Sequence, residues 1–310
     1  MNAKRVTRRR FLQWSAATMA AGMVPGLLRG GSIGRPAADG QNMIIFLPDQ
    51  LRAESLGCYG HPLIETPNID RFAAGGVRFA NAQSQYPVCT ASRCSMFTGW
   101  YPHVRGHRSV YYLLRPDEPN MFKYLKNNGY DVFWYGKNDV IYQEGFGESV
   151  TEWGFFAEGP EWSGEDNPWP KDDPHYFSFL FSRGGDRREY PDYKRVQAAI
   201  RVLERRETDR PFCLFLPVFF PHPPFTAPEG FHNKYDPGDI PPLRPPDHGG
   251  KPGFYRAIHT SRRLDQLSQQ DYREINAVYL GMISYTDWLF GQLLEAVERT
   301  NHTMDTAIFF

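Results

Sequence analysis

The chain has 310 residues, with 35 Lys+Arg against 35 Asp+Glu, 41% hydrophobic and 15% aromatic side chains. That length and apolar content supply a core for one large α/β domain or two small ones, and exclude a disordered chain. Residues 1–30 hold six basic side chains and no acidic one, which leaves 29 basic against 35 acidic residues beyond them. A mildly acidic body carries no electrostatic footprint for nucleic acid, so none is expected as a partner.

At the N-terminus, Thr7-Arg8-Arg9-Arg10-Phe11-Leu12-Gln13 resembles the twin-arginine export signal. The stretch from Trp14 to Leu28 that follows is too short and too interrupted by Gly and Pro to span a bilayer. Residues 1–38 are therefore read as an export signal and linker, with Ala37-Ala38 a candidate cleavage region. This implies a twin-arginine translocase as partner and a periplasmic or extracellular destination. The four cysteines, Cys58, Cys89, Cys94 and Cys213, show no zinc-ligand spacing, and an exported protein can pair them.

The body begins with the apolar run Asn42 to Leu47, a buried first strand ending at Pro48-Asp49-Gln50. Thr66-Pro67-Asn68 opens a helix that runs to Ala74 and stops at Gly75-Gly76. Val77 to Ala80 is expected as a short strand. Residues 91–98 read as helical, which puts Cys89 at a helix N-terminus. Asn120 to Asn128 reads as a helix closed by Gly129, and Tyr130 to Tyr135 as a strand ending at Gly136-Lys137-Asn138-Asp139. Residues 157–190 form a surface excursion rich in Gly, Pro, Trp and charge. Tyr193 to Arg206 is helical, Pro211 to Phe220 is a strongly apolar strand, and residues 223–265 are Pro-rich and loop-like. Asp271 to Arg299 carries helical periodicity, and Thr306 to Phe310 begins another strand.

Strands alternating with helices predict an α/β fold, a mostly parallel sheet with helices on both faces. Ligands of such sheets gather beyond the carboxyl ends of the strands. Asp49, Lys137 and His222 each follow a predicted strand, so the sequence places polar groups along one edge.

The strongest chemical signal is Cys89-Thr90-Ala91-Ser92-Arg93, followed by Cys94-Ser95-Met96-Phe97-Thr98-Gly99. A helix N-terminus at Cys89 favours an anion, and Arg93, one turn in, can hold it by charge-assisted hydrogen bonds. A lone Cys in this position would read as a structural residue; Arg93 and Thr98-Gly99 in register argue for more. The segment resembles the sulfatase signature, Cys-x-Pro-Ser-Arg followed after three residues by Leu-Thr-Gly, with departures at Ala91 and Phe97. Gly57-Cys58-Tyr59-Gly60, Thr66-Pro67-Asn68-Ile69-Asp70-Arg71, Gly76-Val77-Arg78-Phe79 and Trp100-Tyr101-Pro102-His103 extend the likeness at matching order, from Asn42 onward.

The resemblance implies an alkaline-phosphatase-like sulfatase domain over residues 42–310 and hydrolysis of a sulfuric ester. It implies a Cys89 converted to formylglycine by a separate maturation enzyme, whose class the Ala91 departure leaves open. As a hydrated aldehyde, that residue offers one hydroxyl to attack sulfur and a second whose deprotonation expels sulfate. It also implies a calcium site to which Asp49, Gln50 and Cys89 contribute, Gln50 through its amide oxygen. Lys137 matches the lysine that contacts the sulfate and the leaving-group oxygen. Asp139 stands where His is common, so the partner of the nucleophile hydroxyl stays open. His222, in Pro221-His222-Pro223-Pro224-Phe225, resembles the histidine near the leaving group, a general acid or oxyanion donor.

Asp247-His248-Gly249 looks like the family's later metal motif, but it follows Arg244-Pro245-Pro246 rather than an apolar strand, so it is set aside. The expected place for that motif is just after Phe310. On this reading the chain is the N-terminal portion of its family's fold and is expected to bind calcium poorly by itself. The substrate class stays open between aryl, choline and carbohydrate sulfates. A phosphonate or phosphate ester hydrolase of the same superfamily is the alternative, kept by the Asp49-Gln50 pair, and an inactive exported remnant is the third reading.

Overall fold

The structure is a computed structural model, and it describes residues 41–154, 167–182, 184–241 and 249–310. The export signal read at 1–38, most of the Asp247-His248-Gly249 motif and part of the 157–190 excursion lie outside the described residues.

Five strands form one sheet in the order β3-β2-β4-β1-β5, and every pairing is parallel. They are β1 (Asn42–Pro48), β2 (Asp131–Tyr135), β3 (Glu152–Gly154), β4 (Phe212–Val218) and β5 (Thr306–Phe309). β2 and β4 are buried at every position, as central strands covered on both faces must be. In β1, Ile44 and Phe46 are fully buried in one core, while Met43, Ile45 and Leu47 pack on a second core across the sheet.

The first core is closed by α1 (Pro67–Gly75), α5 (Pro191–Arg205) and α7 (Gln269–Arg299). At 31 residues, α7 is the long helix of the fold. Ser268 starts it with a capping box, accepting from Asp271 N while the Asp271 carboxylate accepts from Ser268 N. Gly291 of α7 lets Asn68 approach, because a Cβ there would meet the Asn68 side chain at 2.7 Å. The buried Asp287 carboxylate then accepts from Ile69 N at 2.8 Å, capping α1 from a helix more than 200 residues away. No helix among the described residues is long and apolar enough to cross a membrane.

The second core is aromatic. α2 (Cys89–Thr98) and α3 (Met121–Asn127) cover this face, with Phe97 4.7 Å from Phe122 and 5.1 Å from Phe215 of β4, centroid to centroid. Asn120 caps α3 by accepting from Lys123 N at 2.9 Å, and Gly129 follows with φ 91°.

Two expectations are corrected. Val77 to Ala80 is not a strand: Val77 and Phe79 are 77% and 62% exposed, and neither pairs with the sheet. The 223–265 stretch is not loop throughout, since Phe254–Ser261 forms α6 in a run without Pro. Two short elements went unforeseen, α4 (Phe146–Ser149) and the edge strand β3, each too brief to show a period. All four cysteines are unpaired.

Candidate active site

Three neighbouring strands end in the three polar residues expected there. β1 delivers Asp49, β2 delivers Lys137 through Gly136, and β4 delivers His222 through Phe219-Phe220-Pro221. Gly136 is required at its position. Its φ is 139°, and a Cβ would meet Pro217 O at 2.3 Å, so a side chain would push β2 away from β4. This close approach lets Lys137 N donate to Pro217 O at 2.9 Å, which fixes where the Lys137 side chain leaves the sheet.

α2 brings Cys89 and Arg93. Val88, at the N-cap, contributes no side-chain hydrogen bond, so the N–H groups of the first turn are not capped by it. The Ser92 hydroxyl lies 2.8 Å from that of Ser84 in the preceding loop. Thr98 donates to Cys94 O at 2.7 Å and accepts from Trp100 N, and Gly99 follows in the left-handed region at φ 74°. The Thr98-Gly99 part of the motif therefore ends the helix, while Cys89 and Arg93 face the site.

The side chains converge. Lys137 Nζ lies 2.5 Å from Asp49 Oδ2 and 2.9 Å from Asp139 Oδ2, so one ammonium bridges two carboxylates. The Arg93 guanidinium is buried 3.7 Å from Asp49 Oδ2, and its Nη1 is buried with no hydrogen-bond partner. Asp49, Cys89 and Asp139 each bring one ligand atom to within 4.8 Å of the others. Asp139, which the sequence showed only as a departure from His, thus sits beside Cys89 and belongs to the cluster. Gln50 is exposed and left-handed at φ 64°, its backbone carbonyl accepting from Tyr279 Oη at 2.9 Å.

The electrostatics follow from this packing. Burial alone would raise the Asp49 pKa, but Arg93 and Lys137 outweigh it and hold the carboxyl below its ordinary value. Lys137 loses solvent too, yet Asp49 and Asp139 raise its pKa, so it keeps its proton. Burial and the Asp139 carboxylate push the Cys89 thiol up. Burial and the Lys137 charge push His222 down, and its Nδ1 lies 2.6 Å from Pro223 O. A neutral ring with Nδ1–H donating to that carbonyl leaves Nε2 as its other polar atom.

The donor set fits a hard cation. Two carboxylates, Asp49 and Asp139, converge, and hard oxygen donors suit calcium or magnesium. A thiol held in its protonated form is a poor ligand for either.

One residue outside the motifs holds the site together. Asp192, at the start of α5 and 1% exposed, accepts from Phe219 N at 2.9 Å and from Phe220 N at 2.8 Å, and pairs with Arg195 at 2.7 Å. It anchors the turn that leads to His222. Its signal in sequence, an Asp in the first turn of a helix, is too common to single it out.

The parallel sheet thus gathers two carboxylates, a lysine, an arginine and a histidine beyond its strand ends, where ligands of such folds bind. The sulfatase family model matches residues 41–310, and the chain belongs to that family. The iduronate 2-sulfatases of Mus musculus and Homo sapiens are 26% and 28% identical to it, over 91% and 88% of this chain and 56% and 54% of their own lengths. The chain thus spans just over half the length of these relatives. Among solved structures, the phosphonate monoester hydrolase of Agrobacterium radiobacter superposes with a TM-score of 0.68 at 21% identity, covering 86% of this chain and 61% of its own. At that identity the likeness speaks to the fold alone.

Proposed function

We propose that the protein to which this chain belongs is an exported sulfuric ester hydrolase whose nucleophile is a formylglycine made from Cys89. The observation that carries the reading is the meeting of Cys89 with Asp49, Asp139, Lys137 and Arg93 at the carboxyl ends of β1 and β2, in a chain of the sulfatase family.

The state of Cys89 supports conversion. Its thiol is half-buried beside two carboxylates, which disfavour the thiolate a cysteine nucleophile needs. Formylglycine supplies instead a hydrated aldehyde with two hydroxyls on one carbon. Asp139 is placed to accept a hydrogen bond from a hydroxyl at position 89. Arg93, with a buried nitrogen lacking a partner, is suited to a sulfate oxygen.

In the overall reaction the ester S–O bond breaks, the alcohol leaves with a proton, and the oxygen of water ends on sulfate. Lys137 keeps its charge and stabilises the departing oxygen. His222, whose pKa lies below the ordinary histidine value, is the group able to exchange a proton with the leaving group near neutral pH. Calcium is the proposed cation; Asp49, Gln50 and the residue made from Cys89 would hold it, with the Asp139 carboxylate within reach, and it would neutralise sulfate charge. Export through the twin-arginine translocase rests on the Thr7–Gln13 segment and is tested by fractionating cells.

The decisive experiment is the mass of the tryptic peptide Phe79–Arg93 from protein co-expressed with a formylglycine-generating maturase. The aldehyde or its hydrate at position 89 is expected. An unmodified thiol, with a Cys-x-Pro-x-Arg control converted in the same cells, would sink the reading. Relative rates on an aryl sulfate and an aryl phosphonate monoester then decide between the sulfatase and the phosphonate hydrolase that the Asp49-Gln50 pair keeps in view; the sulfate is expected to be faster.

A further inference from the structure

Beyond Lys137 and His222 the strand ends open into a cavity of about 810 Å³. That is the size range of a pocket enclosing a drug-sized molecule. Its lining includes four aromatic rings, those of Phe177, Phe179, Phe219 and Phe225. It also includes the aliphatic side chains of Ile258, Leu264, Leu267 and Ile275. Lys137, His222 and Gln50 line it too, so whatever fills the cavity is continuous with the site of ester cleavage.

Several polar groups on the wall are already engaged by the protein. Asn138 donates to Ile141 O at 2.8 Å and accepts from Val140 N and Ile141 N. Tyr272 donates to Leu264 O at 2.5 Å. Ser178 Oγ accepts from Leu180 N at 3.1 Å. Asp192 is committed to Phe219 N, Phe220 N and Arg195. With Phe177, Phe179, Phe219, Phe225, Leu264 and Leu267 in the lining, much of a sugar ring would press its hydroxyls against apolar side chains, and a hydroxyl taken from water without a new partner is costly. A flat apolar ring meets aromatic faces instead, and the Arg262 guanidinium, 5.7 Å from the centroid of Phe177, extends that surface.

We infer that the leaving group is an apolar aromatic or fused-ring alcohol, so that the substrate is its sulfate monoester rather than a sulfated sugar. This rests on the sulfatase reading and narrows it. Hydrolysis returns the free alcohol to the cavity and sulfate to the Lys137–Arg93 side, with the S–O bond broken and one water consumed. The chemistry upstream is then a sulfonation that masks a hydroxyl on such a ring.

The test is calorimetric titration of the full matured chain with 1-naphthyl sulfate, glucosamine 6-sulfate, inorganic sulfate and 1-naphthol. The naphthyl ester is expected to bind at least ten-fold more tightly than the sugar sulfate. Ile258→Asn, at a half-exposed position, and Phe177→Ala should each reduce that ratio at least five-fold, with unchanged melting showing that each variant is folded. Equal or tighter binding of glucosamine 6-sulfate, or a ratio that neither variant moves, overturns the inference. Failure of the sulfatase reading looks different: 1-naphthol would bind as well as its sulfate, and inorganic sulfate would not compete. That result removes the ester and leaves only an apolar pocket.

Discussion

Lys137 Nζ lies 2.5 Å from Asp49 Oδ2, although 88 residues separate the two in sequence. Two neighbouring features make the contact: β1 and β2 flank β4, and Gly136 lets the end of β2 lie against Pro217. Each partner moves the other's pKa toward its charged form. Lys137→Met keeps the stem and removes the charge. It should lower kcat on an aryl sulfate by about 10²–10³-fold, the loss typical of removing one charged donor from a developing oxyanion. It should also raise the pKa of Asp49, which a carboxylate NMR titration would read. Wild-type kcat in this variant would mean that Lys137 does not face the departing oxygen.

Gly136→Ala tests the close approach itself. Both the positive φ and a Cβ 2.3 Å from Pro217 O oppose the substitution. A cost of about 1–3 kcal/mol in urea denaturation is expected, as for other overpacked positions. Turnover should fall further than stability explains, since Lys137 moves with the strand end. Gly147, where a Cβ would find nothing within 4 Å and φ is not positive, is the control. If Gly136→Ala behaved like Gly147→Ala, the strand-end geometry would be wrong.

The long elements and the strand-end site were legible because they rest on local signals. β1, β2 and β4 are apolar runs bounded by Pro, Gly and Asp, and the rule that ligands gather at carboxyl ends pointed to Asp49, Lys137 and His222. What escaped depends on distant partners. Val77 and Phe79 have strand-like composition but no sheet partner. β3 is three residues whose strand state comes only from Phe133, Trp134 and Tyr135 beside it. Asp139 read as a missing histidine until the fold set it beside Cys89, and Asp192 acts on backbone groups 27 and 28 residues further along.

Asp192→Ala should be among the most damaging single changes. It would leave Arg195 buried without the carboxylate it pairs with and two backbone N–H groups without an acceptor. Breaking a buried pair in this way costs about 3–5 kcal/mol. Asp192→Asn keeps one oxygen acceptor, so it should retain part of that stability and return the native crosspeaks of Phe219 and Phe220 more fully. Denaturation midpoints that rank the alanine variant equal to the asparagine variant would contradict the anchoring role.

His175 gives the cavity wall a pH dependence. Its ring lies between two acids, Nδ1 2.8 Å from Asp173 Oδ1 and Nε2 3.3 Å from Asp271 Oδ1, and it stacks on Trp169. Arg263 donates to the Asp173 carbonyl on the same segment. The hydrogen bond to Asp173 first, and that to Asp271 next, raise the His175 pKa above its ordinary value of 6.5. A raised histidine stabilises the fold fully below that ordinary value, and the contribution disappears as pH climbs through the higher folded-state value. The ring is one-third exposed, so solvent screens the effect and it should be small. The tie joins the 174–178 turn, which carries Phe177, to the start of α7. Hydrogen exchange in residues 174–178, corrected for intrinsic rates, should therefore quicken from pH 6 to pH 9, while exchange in β4 stays level. His175→Gln should remove the change. A segment that exchanged equally at both pH values in the wild type would show that the protonated histidine does not tie the wall to α7.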